Sequence, residues 1–138
     1  MKSILKKLNV FFQTEILVLN LPEEFEKNFS SIKNVEIFES LVQLNKFDYG
    51  ILFIQSIENL KNQLSTLLPK VNDDGELWIA FPSESSVVAT DINMNYNWKA
   101  LRNECFEIVD EKQINKNWKA KRFRKLEYTK WKELSRIA

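Results

Sequence analysis

The chain has 138 residues, 44% of them hydrophobic, with 20 basic and 19 acidic side chains, two glycines, three prolines, one cysteine and no histidine. That composition excludes a disordered or low-complexity chain and an internal disulfide framework, and it removes the commonest general base and metal ligand, so no metal site is expected. The near-neutral balance conceals an asymmetry: residues 1–111 carry a net −7 and residues 112–138 a net +8.

In chain order, Ile4, Leu5, Leu8 and Phe11 or Phe12 have helical spacing and predict a short amphipathic helix over residues 3–12. Residues 15–20 read as a first parallel strand. Asn20 is placed to cap a following helix, Pro22 suits its first turn, and Glu23 and Glu24 suit its positive end. That helix buries Leu21, Phe25, Phe29 and Ile32. A short second strand is expected over residues 35–38, with a connection over 39–45. Residues 48–54 and 77–81 are apolar runs of strand length without polar alternation, which predicts strands buried on both faces, as in a parallel sheet. Between them Ile57, Leu60, Leu64, Leu67 and Leu68 have helical spacing behind a capping Ser56, and Asp73-Asp74-Gly75 reads as a turn, so the whole is a βαβ unit. After a polar loop over 82–86, Asp91 is placed to cap a helix with Met94, Trp98, Leu101 and Cys105 on one face, and Cys105 is expected to be buried there. Residues 106–109 and 119–126 read as two strands. Their connection is too short for a crossover helix, so the pair should be antiparallel. In the tail, Tyr128, Trp131, Leu134 and Ile137 lie three apart, as in a terminal helix.

The expectation is an α/β fold: a Rossmann-like three-layer sandwich of about six strands, mostly parallel, with an antiparallel C-terminal hairpin. At 138 residues one domain is enough, with roughly 70% of the unfolded surface buried and residues 127–138 as a basic tail or helix. Charges interrupt every apolar stretch before it reaches signal-peptide length, and no run approaches the roughly 20 apolar residues of a membrane helix. A soluble cytoplasmic protein of bacterial type is expected.

The candidates for chemistry are few. A nucleotide-type cofactor needs glycines after the first strand, where backbone approaches the ligand. Leu19-Asn20-Leu21-Pro22-Glu23-Glu24 has none, its bulk and acids fill the corner toward Glu39, and its carboxylates repel a phosphate. No cofactor is expected. Among carboxylates, Asp48, Asp91 and Asp110 are best placed for acid–base work, but a strand start and a helix cap suit Asp48 and Asp91. Ser85 and Ser86 occupy the loop at the carboxyl end of a strand, where open α/β sheets seat ligands, yet lack a histidine partner or glycine elbow. On the last strand, alternation puts Trp118, Ala120, Arg122 and Arg124 on one side and Lys119, Lys121, Phe123 and Lys125 on the other. Burying these cations unpaired is costly, so either they pair with Glu107, Asp110 or Glu111 on the hairpin neighbour, or Arg122 and Arg124 line the loop side and hold an anion.

Two stretches resemble known proteins. The strand over 47–53, Leu67-Leu68-Pro69-Lys70-Val71, Asp73-Asp74-Gly75, the strand over 76–81, then a helix and an antiparallel hairpin resemble the second half of class I S-adenosylmethionine-dependent methyltransferases. More closely, Gly75-Glu76-Leu77-Trp78-Ile79-Ala80-Phe81-Pro82 with Ser85-Ser86, Thr90-Asp91-Ile92-Asn93, Trp98 and Trp118-Lys119-Ala120-Lys121-Arg122-Phe123-Arg124 is similar to the bacterial family catalogued as domain of unknown function 3052. Leu5-Lys6-Lys7-Leu8 and Leu19-Asn20-Leu21-Pro22-Glu23 fit that family's opening. The resemblance implies a degenerate methyltransferase fold and no particular reaction. Where members carry lysines after the proline, an Arg-Asp pair, and an acid ahead of the late Trp, this chain has Ser83 and Glu84, Met94 and Asn95, and Asn115.

The function expected is a non-catalytic binding or interaction module on a methyltransferase-like scaffold without a cofactor loop. Its ligand side is expected around Ser85, Ser86, Asp91, Trp118, Arg122 and Arg124, for a small anion or a protein partner. Two alternatives stay open. One is an enzyme on a small anionic substrate, with Arg122 and Arg124 binding and Asp91 as base. The other is nucleic-acid binding through the basic C-terminal segment, where Lys and Arg accompany Trp118, Phe123, Tyr128 and Trp131.

Overall fold

The computed structural model describes residues 3–93 and 95–126. Among them six strands form one mixed sheet: β1 (Glu15–Leu19), β2 (Glu36–Phe38), β3 (Phe47–Phe53), β4 (Val71–Pro82), β5 (Phe106–Gln113) and β6 (Trp118–Lys125), ordered β2-β1-β3-β4-β6-β5. The first four run parallel, and β6 lies antiparallel between β4 and β5. This is the expected α/β architecture with its antiparallel C-terminal hairpin.

The unalternating apolar runs are explained by two cores, one on each face of the sheet. Leu17, Leu19, Leu52, Leu77, Ile79 and Phe81 point into one, and Ile16, Val18, Ile51, Phe53, Trp78 and Ala80 into the other. Helices close both layers. On the second face lie α1 (Ile4–Lys7) and α2 (Glu26–Ser30), with Ile4, Leu5 and Phe29 buried. On the first face α3 (Ile57–Leu67) buries Leu60, Leu64 and Leu67, and α4 (Lys99–Arg102) buries Leu101. The crossover after β1 thus uses one face and leads to the edge strand β2, whereas the crossover after β3 uses the other face and leads to β4. Chain direction across the sheet reverses between β1 and β3, and this is the topological switch point of an open α/β sheet.

Several predicted elements end earlier or run longer than their spacing implies, and backbone conformation is the reason. The helix expected over 3–12 stops because Asn9 is left-handed (φ 60°); a 3₁₀ turn over Val10–Phe12 follows and leaves Phe11 and Phe12 exposed. Asn20 is also left-handed (φ 60°) and caps nothing; its Nδ2 donates to the Phe53 carbonyl at 3.2 Å. The chain then makes a 3₁₀ turn over Glu23–Phe25 before the five-residue α2. The helix expected after Asp91 shrinks to the four residues of α4, because Trp98 at its start has φ 55°. Met94 and the tail residues Tyr128, Trp131, Leu134 and Ile137 lie outside the described residues. Cys105 is exposed rather than buried: it sits past α4 at φ 63°, and its carbonyl accepts from the Leu126 amide at 2.7 Å. The predicted turn at Asp73-Asp74-Gly75 lies inside β4, where the register with β3 shifts between Val71 and Glu76. β5 continues to Gln113, past the expected end at 109, with a bulge between Ile108 and Asp110.

Two long-range bonds tie α1 and the residue after it to the β5–β6 connection and to β3. Tyr49 Oη donates to the Leu8 carbonyl at 2.5 Å, and Lys7 Nζ donates to the Ile114 carbonyl. Burial, reinforced by the Glu76 carboxylate, raises the Tyr49 phenol well above its ordinary range, so it stays a donor. No helix among the described residues is long and apolar enough to cross a membrane.

Candidate functional site

The carboxyl ends of the parallel strands meet the start of β6, because β6 runs antiparallel and Trp118 pairs with Pro82. At the switch point a crevice of about 440 Å³ opens between the chain leaving β1 and the chain leaving β3. Asn20, Leu21, Pro22, Phe53, Gln55, Asn59, Gln63 and Trp118 line it. Its aromatic floor is interlocked: the Phe53 and Trp118 rings meet edge to face at 5.7 Å, and Phe25 packs against both at 5.8 and 6.4 Å.

Hydrogen bonds hold the walls. Trp118 Nε1 donates to Glu24 Oε2 at 3.2 Å, and the other oxygen of Glu24 accepts from Asn115 Nδ2 at 2.9 Å. Asn115 Oδ1 in turn accepts from the amides of Asn117 and Trp118. Glu24, expected at a helix start, therefore ties the loop after β1 to the β5–β6 hairpin. The Asn20 bond to Phe53 joins the ends of β1 and β3.

The remaining polar lining comes from α3 and the residue just before its cap. Its apolar residues at 60, 64 and 67 face the core, which turns Asn59 and Gln63, four apart, to a shared outer face beside Gln55. No hydrogen bond engages the side-chain amides of Gln55, Asn59 and Gln63 among the described residues.

The residues expected to form a site are divided. Ser85 Oγ donates to the Lys116 carbonyl at 2.7 Å, as the buried Ser83 does at 2.5 Å, so these serines clasp the hairpin turn. Ser86 Oγ accepts from the Val88 amide. Asp91 Oδ1 accepts from the Ile57 amide at 2.9 Å, and Ser56 Oγ accepts from the Asn59 amide at 3.0 Å, so Asp91 caps α3 and not a helix of its own. Replacing Asp91 with alanine is expected to cost about 0.5–1 kcal/mol, the scale of an exposed cap, and to lower the calorimetric Tm by about 2–4 °C. An unchanged Tm would show the bond to be idle.

The arginines correct the expectation most clearly. Arg122 lies opposite Trp78, pairs with Glu76 at 3.3 Å and sits over the Trp78 ring at 5.8 Å. Arg124 pairs with Asp74 near the amino end of β4, six residues and roughly 20 Å along the strand from Trp118. Neither reaches the loop side, and they do not converge with Asp91. Their acids come from β4 and not from the hairpin neighbour β5, where, among the described residues, Glu111 alone forms ion pairs, with Lys121 at 3.2 Å and Lys119 at 3.8 Å. Lys125 pairs with Asp73 at 3.0 Å, which holds the Asp73 carboxyl below its ordinary range. Of the other carboxylates, Asp48 accepts from Asn72 Nδ2 and Asp110 from the Glu111 amide.

The corner between Asn20 and Glu39 is also different from expectation. It holds a cleft of about 480 Å³ over Val18, Phe29 and Ile37, with Glu26 and Glu39 among its lining. The left-handed turn at Asn20 carries the chain so that Pro22 lines the switch-point crevice and Glu24 turns to Trp118, leaving this corner open. A smaller cleft of about 240 Å³ lies beside Pro82, with Trp98, Glu84, Glu111, Lys119 and Lys121 among its lining.

No family model matches the chain, so the likeness to domain of unknown function 3052 gains no support there, and no curated protein matches. Among solved structures the chain is similar to ribosomal protein L11 methylase from Lactobacillus delbrueckii subsp. bulgaricus, at 17% identity and a TM-score of 0.49. The match covers 80% of this chain and 58% of that one. At that distance the overlay carries no argument, and the architecture stands on the strand order given above.

Proposed function

We propose that the protein is a non-catalytic binding module, one domain on a methyltransferase-shaped scaffold, whose ligand seats at the carboxyl edge in the crevice between β1 and β3. The observation that carries this reading is the composition of that crevice: amides and aromatic or aliphatic walls, without a titratable side chain among the described residues that line it. General acid–base work requires such a group within hydrogen-bond reach of the reacting atoms. The groups that chemistry would have used are engaged in holding the fold, Asp91 as a cap, Ser85 as a clasp, and Arg122 and Arg124 as ion pairs.

The likeness to domain of unknown function 3052 rests on residues 75–82, 85–86, 90–93, 98 and 118–124 and fits a scaffold kept for binding. The partner is a small molecule or a protein. Pairing of Lys119, Lys121, Arg122, Arg124 and Lys125 with acids of β4 and β5 supports charge compensation over nucleic-acid binding.

The test is a thermal-shift screen with S-adenosylmethionine, nucleotides and small carboxylic acids. A ligand present at one hundred times its Kd stabilises by about 2.7 kcal/mol, a rise of several degrees here. No such rise is expected with the methyl donor. A saturable one, with amide resonances moving at Asn20 and Glu39, overturns the reading.

A further inference from the structure

We propose that the switch-point crevice takes an uncharged polyol of monosaccharide size, a ligand class that rests on the carboxyl edge being the binding side. Its volume of about 440 Å³ falls within the range of small-molecule sites. Its chemistry narrows the class further.

Asn20, Gln55, Asn59 and Gln63 each present a carbonyl acceptor beside two N–H donors. Asn20 spends one donor on the Phe53 carbonyl, and the other three amides have no partner among the described residues, so in the free protein water satisfies them. A vicinal diol presents a donor and an acceptor on adjacent atoms and replaces that water bond for bond. Asn59 and Gln63 are neighbours on one helix face, about 5–6 Å apart at Cβ, which lets both reach one ring-sized molecule.

Charge argues in the same direction. A phosphate or carboxylate entering this crevice would lose hydration with no lysine or arginine among the described lining residues to replace it. The Glu24 carboxylate, bonded to the Trp118 N–H behind this wall, disfavours an anion further. Leu21 and Pro22, both half-buried, offer an apolar wall to the C–H face of a sugar ring, backed by the buried Phe53 and Trp118, and the Asn20 and Glu24 bonds hold that wall in place before a ligand arrives, which lowers the ordering cost of binding.

The experiment titrates the full chain, labelled with ¹⁵N, with D-ribose, D-glucose and glucose 6-phosphate up to about 50 mM, enough to detect Kd values in the millimolar range. A neutral sugar is expected to move the side-chain NH₂ resonances of Asn59 and Gln63 along a saturating curve. Glucose 6-phosphate is expected to bind at least tenfold more weakly than glucose. The N59A/Q63A double variant, altered at outer-face positions of α3, is expected to lose at least tenfold in affinity while keeping its Tm within a few degrees. Tighter binding of the phosphate ester in the crevice would overturn the ligand class and leave the binding module standing. Silence of the crevice amides toward both neutral sugars, or shifts confined to another surface, would overturn the inference. The methyl-donor screen separately decides the module reading.

Discussion

Replacing Trp118 with alanine is expected to lower stability by about 3–5 kcal/mol and the Tm by roughly 10–15 °C, measured by urea titration and calorimetry. The side chain is 2% exposed, although it stands at the first position of its strand. Its ring closes a three-way aromatic contact with Phe25 and Phe53, and its N–H is bound by Glu24. Truncation therefore leaves a cavity in the second-face core at the strand ends, and it removes one of the two bonds by which Glu24 joins the first loop to the hairpin. W118F separates these effects: it keeps most of the ring contacts and removes the donor, so a loss of only about 1–2 kcal/mol is expected. A W118A cost below about 1 kcal/mol would mean that the aromatic floor is not what holds the carboxyl edge together.

Gly75→Ala is expected to cost about 2–3 kcal/mol, against the usual small gain of an alanine at a compatible glycine site. The reason is space and not φ, for neither glycine has a positive φ. A Cβ at Gly75 would stand 2.9 Å from the Asn72 carbonyl oxygen and 3.1 Å from that of Phe47. Both are backbone atoms held in the shifted register of β3 and β4, so neither yields by a side-chain rotation. The measurement is again the urea midpoint at constant m-value; a neutral or stabilising G75A would show that this register has slack.

Gly75 also marks the limit of reading the chain as a string. Asp73-Asp74-Gly75 has turn composition, yet the structure uses it as an irregularity inside a twelve-residue strand. The same holds at the helix ends. Asn9, Asn20, Trp98 and Cys105 take left-handed backbone, and the last two are residues for which composition gives no warning. Asp91 was legible as a cap, but its helix, α3, begins 34 residues earlier in the chain. Arg122 and Arg124 were legible as cations needing acids. Which acids they meet depends on β6 entering between β4 and β5, so that Glu76 and Asp74 on one side take the arginines and Glu111 on the other takes Lys119 and Lys121. The Asn59 and Gln63 spacing is visible in the chain, but nothing there connects it to Asn20 or Trp118.

Residue order decided the sheet: strands buried on both faces require unbroken apolar runs, and a helix crossing between them requires a 3.6-residue stripe, so both leave a local trace. The crevice, the ion pairs and the division of the arginines from the carboxyl edge came only with the folded chain. They join positions 20, 55 and 118, or 74 and 124, and a contact between distant residues exists only once strand order has set which ends are neighbours.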